Sequence, residues 1–168
     1  MNNQHQIVKT KLPDVKKIII ITSGKGGVGK STIASGLALT LAREGYSVGL
    51  LDADIFGPSI PTLFKIKDEA RPTLINKNGK NLMEPFIRLG LKIMSIGFFV
   101  EENAAVVWRG PMLHKALTQF LEDVEWGALD YLLIDLPPGT GDVSMTLAQL
   151  LPQASFVIVT TPQGTAQK

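Results

Sequence analysis

Residues 18–32 read Ile-Ile-Ile-Ile-Thr-Ser-Gly-Lys-Gly-Gly-Val-Gly-Lys-Ser-Thr, and this stretch decides the fold. An apolar, β-branched run from Ile18 to Thr22 ends in a glycine-rich turn: Gly24, four residues, then Gly29-Lys30-Ser31. A helical pattern follows at once. Strand, glycine turn and helix in that order form a phosphate-binding loop. Glycines at 24, 26, 27 and 29 are expected to admit φ > 0 and turn successive N–H groups inward around an anion. The helix beginning near Gly29 adds its positive end. Gly24, Lys25, Gly26, Gly27, Val28, Gly29, Lys30, Ser31 and Thr32 thus form the expected nucleotide cradle. Lys30 would reach the β- and γ-phosphates, and the Ser31 hydroxyl would ligate Mg²⁺.

Working outward, Ile33, Ala34, Leu37, Ala38, Leu41 and Ala42 recur at helical spacing up to Glu44, and Gly45 stops the helix. This stripe is expected to be core. Ser47–Leu51 reads as a buried strand, and strand–loop–helix–strand makes a right-handed unit with parallel strands. Its carboxyl end carries Asp52-Ala-Asp54-Ile-Phe-Gly-Pro-Ser59. Ligands of open parallel sheets gather beyond such ends, so both aspartates are expected to face the phosphates. Asp54 would orient the attacking water and contribute to the metal site. For Asp52, work near the metal, holding the loop and capping a turn all stay open. Asp130–Asp135 is an apolar strand closed by an acid, and Asp135 would hold Mg²⁺, through water. Leu136-Pro-Pro-Gly-Thr-Gly-Asp142 then turns, with glycines expected to bring amides to the γ-phosphate.

Between these pieces, Thr73–Asn76 and Asn81–Glu84 flank Asn78-Gly79 as a surface hairpin whose basic residues form a solvated face. Leu91–Phe98 reads as a strand. Pro111 opens a helix over Met112–Val124, with Leu113, Leu117, Phe120, Leu121 and Val124 as its buried side. His114 reads as a surface or interface residue. Val143–Leu151 reads as a helix and Ser155–Thr160 as another parallel strand.

The composition bounds the rest. The 168 residues fit one domain, with residues 1–16 expected as a leader or linker and 17–168 as the domain. Lys plus Arg exceed Asp plus Glu only by 17 to 15, so nothing argues for nucleic acid. No signal-peptide pattern or long apolar run suggests a membrane, and a cytoplasmic location is expected. The chain has no cysteine, hence no disulfide and no thiolate for zinc or an iron–sulfur cluster.

Lys25, within Lys-Gly-Gly-x-Gly-Lys-Ser, resembles the signature lysine of the deviant Walker A motif of MinD/ParA-class ATPases. Four segments together resemble the Mrp/NBP-type iron–sulfur cluster carriers: Ser23–Thr32, Asp52–Pro61, Trp108–Pro111, and Ile134–Asp142 with Thr160-Thr-Pro-Gln163. The resemblance implies an α/β, three-layer P-loop NTPase fold with a mostly parallel sheet flanked by helices, its C-terminal part missing. It also implies binding and hydrolysis of ATP with Mg²⁺, Lys25 crossing a homodimer interface to the partner's phosphates, and delivery of a [4Fe-4S] cluster to client apoproteins. In that family a Cys-x-x-Cys pair beyond the equivalent of Lys168 holds the cluster. The final strand and helices that finish the adenine pocket lie there too, and Gly164 stands where relatives carry glutamate. The choice of ATP over GTP rests on resemblance alone. A partitioning or septum-placing ATPase would want a basic surface or a terminal amphipathic helix, and neither is visible. A nonfunctional truncated fragment is a third reading, which predicts an exposed apolar sheet edge and poor solubility.

Overall fold

The structure, a computed structural model, describes residues 12–67, 70–99, 110–139 and 141–162. The Trp108–Arg109 pair, Thr140, Gln163, Gly164 and the side chains of Pro111, Leu113 and Asp142 lie outside the described residues.

In chain order the elements are β1 (Val15–Thr22), α1 (Lys30–Arg43), β2 (Val48–Asp52), α2 (Ile60–Leu63), β3 (Leu74–Lys77), β4 (Lys80–Met83), β5 (Phe86–Arg88), β6 (Leu91–Ser95), a 3-10 turn (Ile96–Phe99), α3 (Gly110–Glu122), β7 (Leu129–Asp135), α4 (Gly141–Leu150) and β8 (Ser155–Ile158). Six strands form one sheet in the order β5-β6-β2-β7-β1-β8, parallel except for β5, and β3 with β4 forms a separate hairpin. Right-handed crossovers assign the layers. The β1-to-β2 connection runs one way along the sheet while β6-to-β7 and β7-to-β8 run the other. So α1 covers one face, and α3 and α4, which touch each other, cover the opposite one. The central strands show the continuous apolar character of a sheet covered on both sides: Ile20, Ile21, Leu50, Leu51, Leu132, Leu133 and Ile134 are fully buried.

Helix α1 ends as its sequence requires. Gly45 takes φ 89, its amide donates to Ala42 O, and the Tyr46 amide donates to Leu41 O, closing a Schellman motif. The core stripe on α1 needs one correction. Ala34 and Ala38 are buried, but Ile33 is 48% exposed, because the sheet side of α1 is centred on the alanines, which let the helix approach closely.

Strand β2 contains Gly49 for a packing reason. A Cβ there would lie 2.7 Å from Leu129 Cδ1, 2.9 Å from Leu132 Cδ1 and 3.0 Å from Trp126 Cε3. Trp126 fills that space, its indole N–H donating to Phe120 O at 3.0 Å.

Two extended segments differ from expectation. The strand expected to reach Phe98 stops at Ser95, because the Ser95 hydroxyl accepts the Gly97 amide at 3.0 Å and turns the chain into the 3-10 segment. Strand β5 was not anticipated. It pairs antiparallel with β6 across Leu89 (φ 50) and Gly90 (φ 80), a two-residue turn whose first position lacks the usual Asn or Asp. The β3–β4 hairpin turns on Asn78 (φ 53) and Gly79 (φ 80), as its Asn-Gly pair predicts. It is also docked: Met83 bridges Val124. Lys77 pairs with Glu125 at 2.7 Å and Lys80 with Asp123 at 2.9 Å, so these basic residues are solvated but not idle.

Candidate functional site

Adjacent strands β1 and β7 send their following helices to opposite faces of the sheet, which opens a crevice beyond their carboxyl ends. The expected loop lies in that crevice. Gly27 (φ 77) and Gly29 (φ 86) occupy the left-handed region; Gly24 and Gly26 do not, so two of the four glycines are conformationally required. Gly29 is the N-cap of α1, with no side chain capping the helix. The amides of the first turn therefore remain available to an anion. The Ser23 hydroxyl donates to Lys25 O at 2.9 Å and rigidifies the turn from inside, while Lys25 itself is exposed.

Strand register aligns the acids. Asp52 on β2 is paired with Asp135 on β7 and with Ser95 on β6, placing all three in one row at the carboxyl edge. Lys30, Asp54 and Asp135 are buried and converge: Lys30 Nζ lies 2.6 Å from Asp135 Oδ1 and 3.8 Å from Asp54 Oδ2. Ser31 Oγ is 3.4 Å from the same ammonium, which brings it beside Asp135. Burial pushes the Asp135 carboxyl above its ordinary range; the Lys30 bond and the nearby Ser31 hydroxyl oppose that shift without cancelling it. Asp135 Oδ2 is buried with no partner among the described residues. A buried carboxylate oxygen without a donor calls for a cation or ordered water. Ser31, Asp54 and Asp135 are all hard oxygen donors, which is the ligand chemistry Mg²⁺ prefers.

Asp52 is engaged differently. Its Oδ1 accepts the Asp54 amide and its Oδ2 the Ile60 amide, each at 3.1 Å. Both oxygens therefore tie the two ends of the 54–60 loop, which favours loop-holding over metal work among the roles open for it. Complete burial, reinforced by the charges of Asp135 and Asp54, pushes its carboxyl up to about 7 against those two bonds. Asp54 does two things at once. Its Oδ1 accepts the Phe56 and Gly57 amides at 3.1 and 3.2 Å, capping its own turn, while Oδ2 faces Lys30.

The Pro137–Gly139 turn is bound to the loop: Gly139 (φ 64) donates its amide to Ser23 O at 2.9 Å. That amide is directed at the loop backbone, contrary to the expectation that it approach the γ-phosphate, and the second glycine, Gly141, begins α4. His114 is half-buried on α3, away from these groups in the chain. No group of three or more His, Cys, Asp or Glu that could by itself hold a metal occurs among the described residues. None of the described helices is long and apolar enough to cross a membrane.

The comparisons with known proteins agree with this geometry. The family described as NUBPL iron-transfer P-loop NTPase, of the ParA group, matches residues 14–168. The chain is 52% identical over 164 residues to an iron-sulfur cluster carrier protein of Aquifex aeolicus, covering 97% of this chain and 44% of the relative. It is 47% identical to the iron-sulfur cluster transfer protein NUBPL of Dictyostelium discoideum, covering 98% of this chain and 50% of that one. Among solved structures, a nucleotide-binding protein from Archaeoglobus fulgidus in complex with ADP superposes with a TM-score of 0.73 at 42% identity, over 90% of this chain and 56% of that one. The Pyrococcus furiosus cell division ATPase MinD, at 19% identity and TM-score 0.60, shares the fold. The chain spans about half the length of these relatives. With the family model matching residues 14–168, the chain belongs to the NUBPL iron-transfer P-loop NTPases.

Proposed function

We propose that this chain is the nucleotide-binding part of an iron–sulfur cluster carrier, which binds and hydrolyses ATP in a cytoplasmic homodimer and hands clusters to client apoproteins. The observation that carries the reading is the convergence of Lys30, Ser31, Asp54 and Asp135, with Asp135 Oδ2 unpartnered. Phosphate oxygens entering the loop meet the amides after Gly29 and compete with Asp135 for the Lys30 ammonium. Ser31 and Asp135, with Asp54 beside them, would hold Mg²⁺, whose charge would offset that of the phosphates. Asp54, buried but not fully enclosed, orients the attacking water with one oxygen while the other keeps its turn closed. In such a dimer Lys25, which is exposed, would reach the phosphates of the second copy.

The cluster itself is cargo, and this chain does not fit it: with no cysteine it supplies no thiolate. Anaerobic reconstitution of the chain alone is expected to give no stable visible chromophore. ATP binding and turnover test the nucleotide reading. Asp54→Ala should retain ATP and stop hydrolysis, while Lys30→Ala should lose ATP. Unchanged turnover in either variant would overturn it.

A further inference from the structure

The 54–60 loop carries Asp54, so whatever fixes its backbone sets where that carboxylate points. Asp52 holds the two ends through the Asp54 and Ile60 amides, and Asp54 holds the middle through the Phe56 and Gly57 amides. Pro58 has no amide hydrogen to offer and is braced by shape instead. A Cβ on Gly97 would lie 2.8 Å from both Cβ and Cγ of Pro58 and 3.2 Å from Ser95 Oγ. Gly97 does not need its glycine for backbone conformation, since its φ is not positive. The space above its Cα is what matters, and Pro58 uses it. Gly97 is in turn fixed by its amide bond to Ser95, the buried β6 residue paired with Asp52.

We infer that Gly97, on the turn after β6, is a positioning residue for Asp54: its bare Cα seats Pro58 and thereby sets the height of the loop that carries the carboxylate. The proline ring has no rotamer by which to retreat, so any side chain at 97 displaces loop backbone. Regaining an ordinary 3.4 Å contact from 2.8 Å requires a shift of about 0.6 Å. Gly57, next to Pro58, then moves off Asp54 Oδ1, and the aim of Oδ2 changes with it. A misplacement on the order of 1 Å at a reacting group costs up to about 100-fold in rate. The P-loop meets this loop through Lys30, 3.8 Å from Asp54 Oδ2, and takes part in none of its hydrogen bonds.

This inference rests on the reading of Asp54 as the group that orients water, and its test is built to fail separately. In the 168-residue chain, Gly97→Ala should lower kcat for ATP by about tenfold and leave ATP affinity within about twofold. It should also speed hydrogen exchange at the Phe56 and Gly57 amides. In a Pro58→Gly background, where the clashing ring is absent, adding Gly97→Ala should change neither quantity further. Ser95→Ala, which removes the acceptor for the Gly97 amide without adding bulk, should move exchange the same way by a smaller factor. If wild-type chain shows no turnover, the ATPase reading fails, yet the exchange measurements still decide the inference. Wild-type exchange at Phe56 and Gly57 in Gly97→Ala, or an equal loss in the Pro58→Gly background, would overturn it.

Discussion

The Lys30 ammonium lies 2.6 Å from Asp135 Oδ1, joining the first turn of α1 to the tip of β7 across 105 positions of sequence. Both groups are buried, so the pair is worth most when broken: removing one partner strands the other charge, at a cost of about 3 kcal/mol. In a chain of this size that corresponds to a fall in melting temperature of about 6–12 °C. Lys30→Ala is therefore expected to lose both stability and nucleotide. Asp135→Asn added to it should recover much of the stability, because a neutral amide tolerates burial better, and none of the affinity. Thermal unfolding beside nucleotide titration separates the two effects, and loss of affinity without loss of stability would count against the buried-pair account.

Gly49 is where β2 admits Trp126, and the prediction there concerns stability alone. Ala at 49 forces two leucine methyl ends and an indole carbon away from contacts of 2.7 to 3.0 Å. Overpacking of this kind costs about 1–3 kcal/mol. Gly49→Ala should therefore melt several degrees lower, about 2–4 °C for each kcal/mol, with nucleotide affinity unchanged because the crevice lies at the other end of β2. Equal melting temperatures would show that Leu129 and Leu132 move aside at little cost.

These two sites show what the sequence made legible. Lys30, Ser31 and Asp135 stand in a spacing that chemistry dictates, and the loop, α1, β2 and β7 followed from it. Gly49 and Gly97 did not stand out, because their meaning depends on Trp126 and Pro58, which approach from distant parts of the chain. Strand β5 was hidden for a similar reason: three residues and a Leu-Gly turn carry almost no local signal, and only pairing with β6 makes them a strand. Asp52 was legible as important and ambiguous as to role, since its hydrogen-bond partners decide the matter.

Asp130 ties three strands together at the end of the sheet away from the loop. It accepts Lys16 Nζ from β1 at 2.8 Å with Oδ1 and the Ser47 amide, just before β2, at 2.9 Å with Oδ2. The Lys16 bond, then the Ser47 bond, hold its carboxyl below the ordinary value. A depressed acid stabilises the fold above its unfolded value near 3.9 and loses that contribution as pH falls through the folded one. Asp130→Ala should therefore be less stable than wild type at pH 6, with the gap closing below about pH 4. Because both partners are solvated, added salt should narrow it too. A gap that stays constant from pH 6 to pH 2.5 would assign the loss to packing.

Strand β8 pairs with β1 on one side and with nothing on the other among the described residues, and it is exposed along its whole length. Phe156 is 41% and Ile158 71% exposed, two positions apart and so on one face. An apolar edge strand with free backbone groups is a template for pairing with another chain. The 168-residue chain should accordingly self-associate as concentration rises, visible as growing light scattering. A charge on the strand opposes such pairing at little cost to the fold, since the position is already in solvent. Ile158→Lys should suppress the scattering while leaving nucleotide affinity as it was, because the Lys30–Asp135 crevice opens between β1 and β7, not beyond β8. If Ile158→Lys scatters as strongly as wild type, association runs through a different surface, such as the nucleotide face that Lys25 borders.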